Sequence, residues 1–437
     1  MNDQTLSSAE AALSPPDRSI THLLVFFGLV YVVEGLGQIG GLVSQPLNYY
    51  LKEVQGWTPV QVTAFVTAFN LPWIIKPVYG LVSDFVPLFG YRRKSYLILA
   101  NLAAVAGFFS VTRLTAPSDL GIALMLTAYA MANSSTLCGG VLVESGQEHQ
   151  KCGKFVNQQW LWYNIAAMSA AILGGALVQY LDPTSALHIA AGIVSVAPFA
   201  VVLGTVFFIR EKKATVNVEG MKHTLAGLVS AFKRRHLWVV AVFIFLYYFS
   251  PGLSTPLYYH MTDDLKFSQG YIGILGSIGA AGWVAGALLY RRFFDGLTLK
   301  QLLNLSIALG TVTSLGFLFF WNETAAAIIS FSSGFTAMLA TVATLTLAAE
   351  YCPKLAEGFS FAVLMSIINL ATSVADNVGS FLYTHVFDKS LPPLVVISAA
   401  FTAFAFVLVP MLHLGDKRQG APVELRERLE PPGPGAR

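Results

Sequence analysis

Apolar runs of about 20 residues, the length a helix needs to cross a bilayer core, recur along the whole of this 437-residue chain. A soluble fold could not cover its surface: 55% of the residues are hydrophobic and only 12% charged, against roughly 25% charged in a typical soluble domain. The runs predict an all-α membrane protein with twelve transmembrane helices. They fall at 20–48, 58–82, 95–113, 119–143, 157–180, 187–209, 237–261, 268–290, 300–320, 325–349, 358–384 and 392–412. Residues 1–18 and 413–437 are polar, contain proline and read as disordered tails. The first tail lacks the basic segment and cleavage site of a signal peptide, so the first span serves as an uncleaved insertion signal.

The basic residues orient the spans. With the N-terminus inside, 22 of the 27 Lys and Arg residues lie in cytoplasmic segments. The outer loops hold only Lys52, Arg113, Lys266 and Lys389, and Lys76 lies within a span. That asymmetry obeys the positive-inside rule and places both tails and the 210–236 connection in the cytoplasm, with the bundle in the inner (cell) membrane. The net charge of +3 is small and scattered through loops, so no nucleic-acid face is expected. Cys138, Cys152 and Cys352 form no secreted disulfide framework. No phosphate loop, metal-ligand cluster or nucleophile with a base is present in the sequence, which speaks against an enzyme, a cofactor and direct drive by ATP. His149 and Cys152, near Glu144 and Glu148, read as incidental rather than as a metal site.

The chain repeats itself. Ser44-Gln-Pro46-Leu47-Asn-Tyr49 returns 210 residues later as Ser254-Thr-Pro256-Leu257-Tyr-Tyr259, and Trp57-Thr58 returns as Phe267-Ser268. Asp84 has a counterpart in Asp295, and Glu144 in Glu350. Two related six-helix bundles, at 19–209 and 237–412, joined by the basic 210–236 linker, put a substrate site between the halves near the midplane.

One segment is more specific. Pro72 to Tyr96 reads PWIIKPVYGLVSDFVPLFGYRRKSY: an apolar helix containing Lys76, then Gly80, Asp84, a turn, and the cluster Arg92, Arg93 and Lys94. The Gly-x-x-x-Asp pattern with a following basic cluster resembles the loop between the second and third helices of the major facilitator superfamily. Pro72-Trp73, Lys76-Pro77, Gly80-x-x-Ser83-Asp84 and Pro87-x-x-Gly90-Tyr91-Arg92-Arg93 resemble its folate–biopterin transporter family, which shares the longer Val86–Gly90 turn. The resemblance implies two pseudo-symmetric bundles and a gating role for Gly80, Asp84, Arg92 and Arg93, with Glu144 and Glu350 at the corresponding ends of the fourth and tenth helices. Asp84, with Arg92 and Arg93, is expected to bridge the cytoplasmic ends of the bundle while the cavity faces outward and to release when it faces inward, in the first half only.

Ionisable side chains inside the bilayer cost at least about 2.5–3.5 kcal/mol and so mark cavities or partners. Glu34 lies near the midplane of the first span, before Gly35, Gly37, Gly40 and Gly41. It reads as a proton-coupling carboxylate, since a carboxyl held away from water can gain and lose a proton near neutral pH, or as a structural partner to a cation. Lys76, about 12 Å up its helix from Asp84, is a counter-charge for an anionic substrate or for Glu34, or else a lysine that reaches the inner interface or pairs with Asp84 or Glu144. Asp376 in the eleventh span is a substrate or proton site by the resemblance, or a hydrogen-bond cap; Asn369 shares its polar stripe. Trp73 and Trp283 are candidates for stacking on a flat heterocycle. Trp160 and Trp162, at the inner start of the fifth span, read as interface anchors. Gly276, Gly279, Gly282 and Gly286 form a small-residue packing face.

The resemblance implies a secondary transporter that moves a small organic solute, a pteridine or folate-like anion, by alternating access, with protons as the candidate coupling ion and a monomer as the working unit. The alternatives are a permease of the same fold for a muropeptide, siderophore or iron complex, and a non-transporting receptor or scaffold. Charges inside the bilayer speak against the last.

Overall fold

Among the described residues every regular element is helical, apart from one β-bridge between Leu88 and Tyr91 in the turn after Asp84. The computed structural model describes residues 18–412 except 39, 150–151, 217–221, 223–234, 295 and 352–356. Asp295, Cys352 and nearly all of both predicted tails lie outside them. In the first half the helices are α1 (Arg18–Gly37), α2 (Ser44–Glu53), α3 (Pro59–Ala68), α4 (Leu71–Ile74), α5 (Lys76–Phe85), α6 (Lys94–Val111), α7 (Pro117–Glu148), α8 (Cys152–Tyr180) and α9 (Pro183–Phe208). In the second half they are α10 (Arg235–Tyr248), α11 (Ser254–Tyr259), α12 (Gln269–Leu289), α13 (Leu299–Gly316), α14 (Glu323–Tyr351), α15 (Glu357–Phe381) and α16 (Leu391–Leu408).

Ten of these are long and apolar enough to cross a membrane. Where the other two spans were predicted there are shorter helices: α3, α4 and α5 fall within or beside 58–82, and α10 and α11 within or beside 237–261. The span expected at 20–48 is also interrupted, between Gly37 and Ser44. The breaks in the first and second spans have local causes. Pro72 and Pro77 sit in the first turns of α4 and α5, where a missing N–H costs nothing but the preceding helix cannot continue. In the first span a Cβ on Gly41 would overlap the Leu36 carbonyl oxygen, so the turn that bonds Leu42 N to Leu36 O at 2.9 Å requires glycine there.

The repeat in the sequence is also a repeat in space. α2 starts at Ser44 and α11 at Ser254, each just after a break, and Thr58 and Ser268 are the N-cap residues of α3 and α12. One buried apolar cluster runs across both halves, from Leu42, Leu47 and Leu51 to Tyr258, Met261 and Leu394. A second, around Ile244, Leu303, Leu347 and Leu364, belongs to the second half.

α12 packs closely on α14, and α8 packs on α12 across the halves. The α12–α14 contact depends on small residues, because a Cβ at Gly334 would overlap the Gly279 carbonyl oxygen. Gly334→Val is therefore expected to lower stability by about 1–3 kcal/mol or more, since backbone cannot yield as a flexible side chain can. Gly139→Ala, in open space, is the control. Equal melting temperatures of the two variants in detergent would refute the close approach.

Candidate functional site

A cavity of about 780 Å³ lies between the halves, with walls from α1, α2, α8, α11, α12 and α14. Its polar groups are mostly neutral: the amides of Gln45, Asn48, Gln159 and Asn164, and the hydroxyls of Ser330, Ser333 and Thr341. Trp160, Tyr163, Tyr258 and Trp283 supply aromatic surface. Glu34 is the one carboxylate on the wall among the described residues.

Glu34 stands in the last turn of α1, just before the break. Ser135 of α7 donates to Glu34 Oε1 at 3.0 Å, and Lys76 Nζ donates to the same serine hydroxyl at 3.1 Å. A half-buried acid and a half-buried amine are thus joined through one hydroxyl. Lys76 lies over the Trp73 ring, 4.3 Å from its centroid, a cation–π arrangement that helps hold a desolvated ammonium. Two atoms of this group, Glu34 Oε2 and Trp73 Nε1, are buried without a hydrogen-bond partner. Ser135 was not among the residues expected to matter. Serines are common in membrane helices, and its partners stand 59 and 101 positions away.

Of the two tryptophans expected to stack on a ligand, Trp283 lies on the cavity wall and Trp73 does not; Trp73 is taken up by Lys76. Trp160, expected to anchor at the interface, lines the cavity instead, edge-on to Tyr163 at 6.0 Å between ring centroids. Helical spacing explains the difference. Trp160, Tyr163, Asn164 and Ala167 form one stripe facing the cavity, while Trp162 is not on the wall: it lies against Gly28 of α1, and its Nε1 donates to Gln158 Oε1. Gln38, in the break after α1, donates to the Tyr163 hydroxyl and ties that stripe to Glu34's helix.

Asp376 is not on the cavity wall. Its Oδ1 accepts from Ser254 Oγ at 2.9 Å, and the neighbouring Ala375 carbonyl accepts from Gly252 N at 2.8 Å, so α15 caps the broken end between α10 and α11. Asn369 belongs to a ladder that joins α15 to the second span. Thr63 meets Ser380 at 2.6 Å, Asn377 donates to Thr67 at 2.8 Å, Asn70 to Ser373 at 2.9 Å, and Asn369 to the Trp73 carbonyl at 3.3 Å. One index rises as the other falls, the register of two antiparallel helices zipped by polar side chains.

More bonds join the halves beside the top of this ladder. Lys52 pairs with Asp263 and donates to Thr262 at 2.8 Å, Tyr259 OH donates to the Trp57 carbonyl, and Gln45 Nε2 donates to the Gln269 carbonyl at 2.8 Å. Lys52 and Thr262 stand 210 residues apart, the offset of the repeat, which places this contact near the axis relating the halves. Lys52 and Asp263 were missed because isolated loop charges carry no pattern.

Of the expected gate residues, Asp84, Arg93 and Glu144 meet at one end of the first half. Arg93 Nη2 reaches Asp84 Oδ1 at 3.2 Å and Glu144 Oε1 at 2.8 Å, so the cluster closes within the first half and does not bridge the two. Gly80 faces α7, and a Cβ there would stand at an ordinary 3.8 Å from Thr136 Cγ2. Arg92 enters through its backbone: Glu211 collects the amides of Arg92, Arg93 and Lys94 at 2.9, 3.2 and 2.9 Å, capping α6 from the segment after α9. Glu350 lies in α14, but its side chain is outside the described residues, as is that of Cys152. No cluster of three His, Cys, Asp or Glu side chains suited to a metal occurs among the described residues.

The family model that matches this sequence is that of the BT1 family, over residues 36–417. The chain belongs to the BT1 family. A folate-biopterin transporter of Synechocystis sp. is 28% identical over 427 residues, covering 92% of this chain and 84% of that one. Folate transporter 2 of Plasmodium falciparum is 25% identical over 407 residues, covering 88% and 87%. Among solved structures, the nucleoside transporter NupG superposes with a TM-score of 0.70 at 13% identity, covering 91% of this chain and 99% of its own. A D-xylose-proton symporter gives 0.66 at 15% identity, covering 91% and 98%. The fold is that of the major facilitator transporters, and the chain is a multi-pass membrane transporter rather than an enzyme.

Proposed function

We propose that this chain carries a solute of the pteridine or folate class by alternating access, with Glu34 as the proton-coupling carboxylate. The observation that supports this most is the chain Glu34–Ser135–Lys76, a half-buried acid and amine linked by a hydroxyl at the edge of the cavity between the halves. An acid in that position can exchange a proton as solvent access alternates, and binding or release of solute beside it can bias the exchange. Trp283, with Trp160 and Tyr163, offers flat faces for a heterocycle. Asp376 and Asn369 act on the protein's own helices, the first holding the break before α11 and the second the seam with the second span. In this reading the protein is a monomer of two six-helix bundles with twelve spans, in the inner membrane with both tails cytoplasmic.

That orientation makes the Lys52–Asp263 end the outer gate, closed here, with the cavity turned to the cytoplasm. Asp84, Arg93 and Glu144, with Gly80 and the capped Arg92, then hold the inner ends of the first half together, and Glu350 is the matching acid of the second. An ion pair this exposed contributes on the order of 1 kcal/mol, so Lys52→Ala should shift the outward-open population by about fivefold. Maleimide labelling of Asn48→Cys from the outside should rise by that factor, and an unchanged rate would rule out the gate.

The transport reading is tested with purified protein in proteoliposomes offered labelled pterins, folates and iron complexes, with and without a pH gradient. Accumulation of a pterin or folate that depends on the gradient is the expected result. Movement of only the iron complexes would replace the substrate class, and movement without dependence on the gradient would remove proton coupling.

A further inference from the structure

We infer, resting on the substrate class proposed above, that the cavity selects the uncharged ring system of that class over members carrying a carboxylate tail. Size does not make the choice, since a cavity of about 780 Å³ accommodates a bare pteridine or a much larger conjugate. Charge does. Among the described residues no Lys, Arg or His side chain lies on the wall, and Glu34 is the one formal charge there. Lys76 is committed elsewhere: its ammonium donates to Ser135 and rests on the Trp73 ring, off the wall.

A carboxylate entering this space leaves water, meets no counter-charge and faces Glu34. Each of these opposes binding in a site of reduced polarity. Protonation of Glu34 removes the repulsion but supplies no cation. A neutral heterocycle has the opposite balance. It brings no charge to desolvate, and the neutral amides and hydroxyls of Gln45, Asn48, Ser330 and Ser333 on the wall can pair with its ring N–H and C=O groups. Gln159 and Asn164 supply further amide donors and acceptors, and Trp283 an apolar face. Specificity of this kind arises from groups that are left unpaired by the wrong ligand.

The test is competition against uptake of labelled biopterin by the full chain in proteoliposomes, with unlabelled pterin, pteroic acid and folic acid as competitors carrying zero, one and two carboxylates. Pterin is expected to compete at least about tenfold better than folic acid, with pteroic acid between them, the scale of one unscreened like-charge contact. Folic acid competing as well as pterin would overturn the charge argument while leaving the transport of this class intact. If no pteridine moves at all, the substrate class falls and this inference with it. Asn48→Arg and, separately, Asn164→Lys place a cation on the wall and should each reduce the preference. A preference unchanged in a variant that still transports would also count against selection by charge.

Discussion

Glu34→Gln is expected to abolish uptake against a gradient while leaving exchange of solute across the membrane in part. The substitution keeps the shape of the side chain and an oxygen that can accept from Ser135, but removes the group that can bind and lose a proton. Exchange requires only binding and alternation, so it should survive with a loss on the order of tenfold, the cost of weakening one charge-assisted hydrogen-bond link. Net accumulation requires the proton, so internal solute should rise no higher than the external concentration whatever the imposed pH difference. The decisive measurement is uptake by the variant with the lumen alkaline and with both sides at equal pH. Retained stimulation by the alkaline lumen would sink the coupling role and leave Glu34 as a structural partner to Lys76.

The second large effect concerns stability. Lys76→Met removes the cation from a half-buried acid–hydroxyl–amine chain and leaves Glu34 without compensation; breaking buried pairs costs about 3–5 kcal/mol. The variant should melt well below the parent in detergent or fail to accumulate in the membrane. Combining it with Glu34→Gln should recover most of the loss, because no unpaired charge then remains. The interaction energy of the double-mutant cycle should exceed about 1 kcal/mol even though Ser135 stands between the two groups. Strict additivity would show that Glu34 and Lys76 are independent, each held by its own surroundings. The Trp73 ring under Lys76 makes that alternative concrete, and Trp73→Leu would then carry the larger penalty.

The difference between what could be read along the chain and what could not has a physical origin in two kinds of surface. In a membrane both the lipid-facing and the protein-facing sides of a helix are apolar, so the periodicity that marks a buried face in water is weak. Trp160 and Trp162 look alike in the sequence. Only the packing of α8 shows that the first faces the cavity with Tyr163 while the second lies against Gly28 of α1. Asp376 and Glu34 likewise both read as intramembrane acids, yet one lies on the wall and the other caps a broken helix. The first span reads as one helix along the chain, and its interruption shows only in the turn where a Cβ on Gly41 would overlap the Leu36 carbonyl oxygen.

Apolar runs with the bilayer's length, basic residues gathered in alternate loops, a repeat at an offset of 210 residues and the Pro72–Tyr96 motif are one-dimensional quantities. Those alone determined that this is a membrane transporter of a known family, because insertion and topology respond to composition and charge order along the chain. Tertiary structure decided which side chains meet. Ser135 joining Lys76 to Glu34, Lys52 reaching Asp263, and Arg93 closing onto Glu144 within its own half are pairings between distant positions, set by how helices rotate and cross. Rotation about a helix axis leaves hydropathy almost unchanged while it replaces every neighbour of a polar side chain, so the path of the chain was written in its sequence and the chemistry of the cavity in its packing.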